Sequence, residues 1–203
     1  MSTNETTNLQ HLVAPEFTWL ADVLDGLGVK AWDTPSLCAG WRVREVVAHL
    51  TQAVRYAPPL FLAELEACNG DFTLLSNRIA VRDAVLPTAT LLANLRDDAM
   101  HAWAPPGGGP MGALSHVVIH GLDITVPLGV TRPVVSEAVI AVLEHLTVAG
   151  GHANFGFDLD GLCLQATDLK WSFGSGRTTR GTAADLVLLI SGRDVGPGRV
   201  LDG

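Results

Sequence analysis

The stretch HVVIHGLDITVPLG, residues 116–129, holds two histidines four apart and an aspartate three further on. Read as a helix, it stacks His116 and His120 on one face with Asp123 beside them, because positions i, i+4 and i+7 share a side. Leu114, Val117, Val118 and Leu122 form an apolar stripe on the opposite side. Between Asp98 and Arg132 the sole charged residue is Asp123. A helix with a solvated face carries Lys, Glu or Arg on it, and this one does not, so its histidine face is either buried or lines a cleft. Buried imidazoles need partners. A divalent metal shared by His116 and His120 is one such partner; hydrogen bonds within a helical bundle are the other. Asp123 is placed to accept the second ring N–H of a ligand histidine and so fix its tautomer.

A second helix, beginning near Trp41, supplies the natural third ligand. Val43, Val47, Leu50 and Val54 form its apolar stripe, and Glu45, His49, Gln52 and Tyr56 gather on the other face. Periodicity alone allows that face to be solvated as readily as to wall a site. His11, His101, His145 and His152 have no partner at useful spacing and read as surface or capping residues.

Working outward, Thr7 or Asn8 caps a first helix carrying Leu9, Leu12, Val13, Leu20, Leu24 and Leu27, which Gly26 and Gly28 end. Pro58 and Pro59 kink or interrupt the second helix. A third helix is expected from Pro87 to about Trp103, followed by the breaker PPGGGP at 105–110. The fourth runs from about Met111 to Leu128, and the fifth from Pro133, suited to a first helical position, to Gly150-Gly151. The period then changes. Leu162, Leu164 and Ala166 alternate with other residues, as do Leu169, Trp171 and Phe173, giving two strands with a turn at Gly174 and Gly176. Thr182 and Asp185 have capping-box spacing ahead of a short helix, Leu186 to Ile190, stopped by Gly192. The expected architecture is mainly α: a helical bundle over residues 1–152 and a small α+β unit over 153–203.

Of 203 residues, 48% are hydrophobic and 17% charged, which excludes a disordered chain. A formal charge of -8 argues against a nucleic-acid backbone or an anionic membrane as the main partner. The N-terminal MSTNETTN has no signal-peptide pattern. No run of about 18 uncharged apolar residues occurs; the best candidate, 114–130, is broken by His116, His120, Asp123 and Pro127. A cytoplasmic location is the expectation. Cys38, Cys68 and Cys163 are odd in number and far apart, so they suggest neither a disulfide framework nor a cysteine zinc site.

Two segments carry a family resemblance. LCAGWRVREVVAHL (residues 37–50) resembles the second-helix signature of the mycothiol-dependent maleylpyruvate isomerase family, part of the DinB-like superfamily, and HVVIHGLDITVPLG resembles its fourth-helix signature. LQATDLKWSFGSGRTTRGTAADLVLLISGR (residues 164–193) is similar to the small C-terminal domain of many members. The resemblance implies a DinB-like four-helix up-down-down-up bundle with one divalent metal, usually zinc and alternatively nickel, near one end. Carried over residue by residue, the ligands fall on His49, His116 and His120. The isomerases proper have glutamate where this chain has His116, and relatives commonly have a capping Thr where it has Arg42. Three neutral ligands would leave the ion its full charge and an open position for water or thiolate.

The activity so implied is a transferase or isomerase dependent on a metal and a low-molecular-weight, mycothiol-like thiol. The metal lowers the thiol's pKa, and the thiolate adds to an electrophile. Glu45, Gln52, Tyr56 and Asp123 would border the site. Arg177, Arg180 or Arg193 would hold an anionic substrate, unless they are ordinary surface charge. Two other readings stay open: a non-catalytic metal-stabilised binding or assembly module, including a homodimer, and a metal-dependent hydrolase that activates water.

Overall fold

The computed structural model describes residues 9–132 and 136–202, so the expected caps at Thr7 or Asn8 and the expected start at Pro133 lie outside the described residues. The chain divides into two compact units, Met1–Leu128 and Gly129–Gly203.

In the first unit, helix α1 (Gln10–Asp25) buries Val13, Phe17, Leu20 and Leu24, the stripe that its helical spacing dictates. Helix α2 (Val43–Leu50) ends at Thr51, whose hydroxyl donates to Val47 O at 2.8 Å, and a single turn, α3 (Gln52–Arg55), follows. The second helix is therefore broken before the prolines. Arg55 covers the carbonyls that the break frees, donating to Ala48 O (2.5 Å) and Thr51 O (3.1 Å) while pairing with Asp83 at 2.7 Å. Pro58 and Pro59 open a new helix, α4 (Pro58–Ala67), where a missing N–H matters least.

Helix α5 (Phe72–Asp83) follows, capped by Asp71, which accepts from Leu74 N at 2.9 Å. The expected third helix is two helices, α6 (Thr88–Leu95) and α7 (Asp98–Ala102), because Asp97 stops one and caps the other by accepting from Ala99 N. Helix α8 (Gly109–Thr125) starts inside the Gly-Pro run, with Pro110 in its first turn. Helix α1 packs on α6, α7 and α8, and α2 packs on α5, α6 and α8. Leu50, Leu75, Ile79, Leu91, Leu95, Leu114 and Ile124 are fully buried, each contributing on the order of 1.5–3 kcal/mol.

The second unit begins with α9 (Glu137–Thr147), capped by Ser136, which accepts from Val139 N. It packs on α10 (Ala183–Ile190), within the second unit. Thr182 caps α10 as its spacing with Asp185 predicts, with Asp185 N–H donating to Thr182 Oγ1 at 3.1 Å.

The sheet has order β2-β1-β3-β4, from β1 (Leu162–Ala166), β2 (Ser172–Gly174), β3 (Arg177–Gly181) and β4 (Leu201–Asp202). Strand β2 is shorter and later than the expected strand over Leu169–Phe173, and β3 follows the expected turn at Gly174 and Gly176, in a stretch for which no strand is expected. Strand β2 runs antiparallel to β1 on one side, and β3 runs parallel to β1 on the other. The chain therefore crosses the start of β1 within residues 174–176. A Cβ at Gly174 or Gly176 would stand 2.3 Å from Leu162 O or 2.2 Å from Gly161 O. Glycine is required there by a close crossing, which a turn reading does not reveal. No helix among the described residues is long and apolar enough to cross a membrane.

Candidate metal centre

His49 sits in the last turn of α2, while His116 and His120 lie one turn apart in the body of α8. Because α2 and α8 pack together, the three rings converge. Each pair of ring centroids is 5.0 Å apart, and the planes are near perpendicular, at 72° to 88°. One nitrogen from each ring lies within 4.8 Å of the other two. The histidine face of α8 is turned inward, as its lack of charge predicts.

His49 Nε2 and His116 Nε2 stand 3.1 Å apart. Two neutral imidazole nitrogens at that distance need a proton or a cation between them. Two nitrogens on one tetrahedral zinc, each at about 2.0–2.1 Å, stand about 3.3 Å apart. The Nδ1 atoms of both rings are buried with no hydrogen-bond partner among the described residues, so the polar interactions of both rings lie on the Nε2 side. Burial pushes the His49 pKa down to about 3, the nearby His120 lowering it further and Asp123 opposing. Burial also holds His116 well below the ordinary histidine range, with His120 and His49 adding to the effect. Both rings are therefore neutral at pH 7 and carry lone pairs, the state in which imidazole ligates a metal.

His120 is oriented from behind. Its Nδ1–H donates to Asp123 Oδ2 at 2.9 Å, which leaves Nε2 as the lone-pair nitrogen of the ring. Asp123 is fully buried. Its Oδ2 also accepts from Cys38 Sγ at 3.0 Å, and Cys38 Sγ lies 3.6 Å from His120 Nδ1. The three histidines thus fit a divalent ion, with one departure from usual practice: ligand histidines generally donate their second N–H outward, and only His120 does so.

The flanking residues divide. Gln52, three residues after His49, is buried with Oε1 lacking a partner among the described residues. Glu45 is one turn before His49, but its carboxylate is engaged by Arg42, accepting from the backbone N–H (2.8 Å), Nε (3.1 Å) and the terminal guanidinium nitrogen (2.6 Å). It closes the start of α2 and supplies the cap that Arg42 itself lacks. The Tyr56 hydroxyl contacts Asp83 at 3.0 Å and Arg82, in the polar cluster on α5. Arg177, Arg180 and Arg193 belong to the second unit. Arg180 donates to Gln165 Oε1 at 2.9 Å, and Arg193 donates to Ser191 O and lies over the Phe155 ring. His152 donates from Nδ1 to Leu146 O, the capping role expected of it.

Three residues escaped the sequence reading. Cys38 reaches Asp123 from a loop, where no periodicity signals it. The Trp41 and Trp103 rings lie 5.2 Å from those of His49 and His116 respectively, tilted by 50° and 53°, and only their nearness in the fold marks them.

The family model described as the mycothiol maleylpyruvate isomerase N-terminal domain matches residues 13–125. Crystal structures of the mycothiol-dependent maleylpyruvate isomerase, and of a mutant of it with a histidine changed to alanine, resemble this chain with a TM-score of 0.59 at 16% identity. Each comparison covers 100% of this chain and 93% of the other. That likeness is one of fold, a mainly helical chain with a small C-terminal sheet. No curated protein matches.

Proposed function

The chain belongs to the mycothiol maleylpyruvate isomerase N-terminal domain family, and from that premise we propose that it is a transferase or isomerase that depends on a divalent metal and a low-molecular-weight thiol. The observation that carries the reading is the convergence of His49, His116 and His120, with His49 Nε2 and His116 Nε2 at 3.1 Å and His120 Nε2 freed by Asp123. Zinc suits three imidazoles, and nickel is the alternative. A divalent ion held there supplies Lewis acidity, which lowers the pKa of a thiol at the open position. The chain's own residues do the rest. His49 and His116 stay unprotonated at neutral pH because burial disfavours their cations. Asp123 holds the His120 ring in one tautomer. Trp41 and Trp103 stand against two of the three rings and limit access of water to them. The thiolate then adds to an electrophilic carbon. Addition forms a C–S bond, breaks the adjacent C=C π bond and places its electron pair on the conjugated carbonyl; protonation then gives an adduct, whereas rotation about the carbon–carbon bond now single, followed by expulsion of the thiolate, gives the cis-trans isomer. Mycothiol is the thiol the family name indicates. The electrophile is open, and His116 in place of the isomerases' glutamate leaves room for one other than maleylpyruvate.

The test is elemental analysis of protein purified without chelator, followed by calorimetry against a panel of cysteinyl thiols. About one metal equivalent per chain is expected, with thiol binding that releases a proton in holo protein and is lost in apo protein. Less than half an equivalent after incubation with zinc or nickel would refute the metal. Equal thiol binding with and without metal would remove the thiol enzyme and leave a non-catalytic metal-stabilised module.

A further inference from the structure

Cys38 lies in the loop between the 3-10 turn Val29–Asp33 and helix α2, and several hydrogen bonds fix that loop. Ser36 N–H and Oγ–H both donate to Trp41 O, at 2.9 and 2.8 Å. Ser36 Oγ accepts from Cys38 N–H at 3.1 Å, and Trp41 N–H donates to Cys38 O at 3.0 Å. The loop also meets α8: Leu37 N–H donates to Asp123 O at 3.1 Å, Cys38 Sγ–H donates to Asp123 Oδ2 at 3.0 Å, and Cys38 Sγ lies 3.6 Å from His120 Nδ1. Main chain and side chain of the loop converge on the aspartate that orients His120.

We propose that Cys38 is a positioning residue for His120 and acts through Asp123. A carboxylate turns easily about its terminal torsion, which is broad and roughly two-fold. Inside the protein its orientation is set by what donates to it. Oδ2 carries both the Cys38 thiol and His120 Nδ1. With the thiol in place, Oδ2 is held where it takes the Nδ1 proton and keeps Nε2 as the lone-pair nitrogen. Without it, Oδ2 loses one of the two donors it carries, and the preference of His120 for the Nδ1–H tautomer weakens. A thiol is a weak donor, so the effect is smaller than that of removing the carboxylate itself.

The test has a metal-free arm and a metal arm; only the second rests on the proposed function. In metal-free protein labelled with ¹⁵N at histidine, long-range proton–nitrogen correlation reads the His120 tautomer directly. The parent and Cys38→Ser should show one Nδ1–H form. Cys38→Ala and the size-conserving Cys38→Val should show a mixture with the Nε2–H form. Cys68→Ala, a change at a buried cysteine in the cluster of Leu75 and Ile79, should lower stability yet leave the tautomer alone. In the metal arm, competition with a chromogenic chelator for Co²⁺ should show Cys38→Ala and Cys38→Val binding about threefold to tenfold more weakly than the parent, short of the ten- to hundredfold typical of losing a ligand's direct partner. A single Nδ1–H form in the alanine or valine variant overturns the proposal, as does a mixture in Cys38→Ser. If no variant binds metal, the proposed function fails while the tautomer result still decides the role of Cys38.

Discussion

Replacing His116 by glutamate puts a carboxylate where a neutral ring now stands 3.1 Å from His49 Nε2. In the metal-free protein His49 resists protonation, with a pKa pushed down to about 3, because it is buried among other imidazoles. A glutamate there reverses the sign of the neighbourhood. Taking a charge separation of about 4 Å and an effective dielectric of about 20, the attraction between imidazolium and carboxylate is about 4 kcal/mol. At 1.36 kcal/mol for each pKa unit, His49 should rise by about three, to near 6. The assay is an NMR titration of the histidine ring carbons in metal-free parent and His116→Glu protein, with His152 as internal control because its partner, Leu146 O, is unchanged. If the proposed metal is bound, the same substitution should preserve its binding, while the added negative ligand should lower the ion's residual charge and raise the apparent pKa of a bound thiol. His116→Ala removes a proposed ligand and should weaken binding far more, as should His49→Ala and His120→Ala, whereas His145→Ala should leave it alone. The reasoning fails if His49 in the parent titrates near 6.5, or if the glutamate leaves it unmoved.

Metal-free protein should lose stability on acidification. The folded pKa of His49 lies below its unfolded value, so the unfolded chain binds more protons between about pH 6.5 and 3, and stability falls as pH falls through that window. His49 alone accounts for about 2 kcal/mol between pH 6.5 and 5, and burial of His116 acts in the same direction; equal urea midpoints at pH 5 and 7.5 would contradict this. In the second unit, Gly176→Ala should destabilise by about 1–3 kcal/mol from backbone strain alone, since φ is +125° and the new Cβ would meet Gly161 O at 2.2 Å. Circular dichroism with thermal melting checks it, and an unchanged melt would mean that the crossing of β1 is not as described.

The parts of the structure legible in the sequence were those with a period. Absence of charge around His116 and His120 announced an inward face, and Val13, Leu20 and Leu24 announced α1, whereas Phe17, buried on the same stripe, did not enter that reading. Helices α4 and α5 went unread because their signals are mixed. Leu60, Leu62, Phe72, Leu74 and Val81 are exposed apolar residues that blur any stripe, and the proline pair reads as a breaker even where it is a start. Strand β3, RTTRG, holds no apolar alternation, since what fixes it is pairing with β1 along five residues. The ligand candidates were visible because two of them share a helix. Their surroundings were not, because Cys38, Trp41 and Trp103 come from loops that only the tertiary fold brings to the rings. Tyr56 and Glu45 share a helical face with His49 on paper, yet their polar atoms are spoken for by Asp83, Arg82 and Arg42, contacts no helical wheel displays.

The small sheet also bears on how molecules of this protein meet one another. Among the described residues its outer strands are its shortest: β2 has three residues and β4 two, and the five-residue β1 and β3 lie between them. A free strand edge is a template on which a neighbouring molecule can add a strand, and its danger grows with the length of unpaired main chain it offers. Here each border strand offers only a residue or two of outward-facing N–H and C=O groups, while β2 covers β1 at Cys163 to Gln165 and β4 covers β3 at Thr179 and Arg180. Crowded solutions of the folded protein should accordingly be slow to form cross-β assemblies, and where such assemblies do arise, they should start from molecules that have first lost β2 or β4.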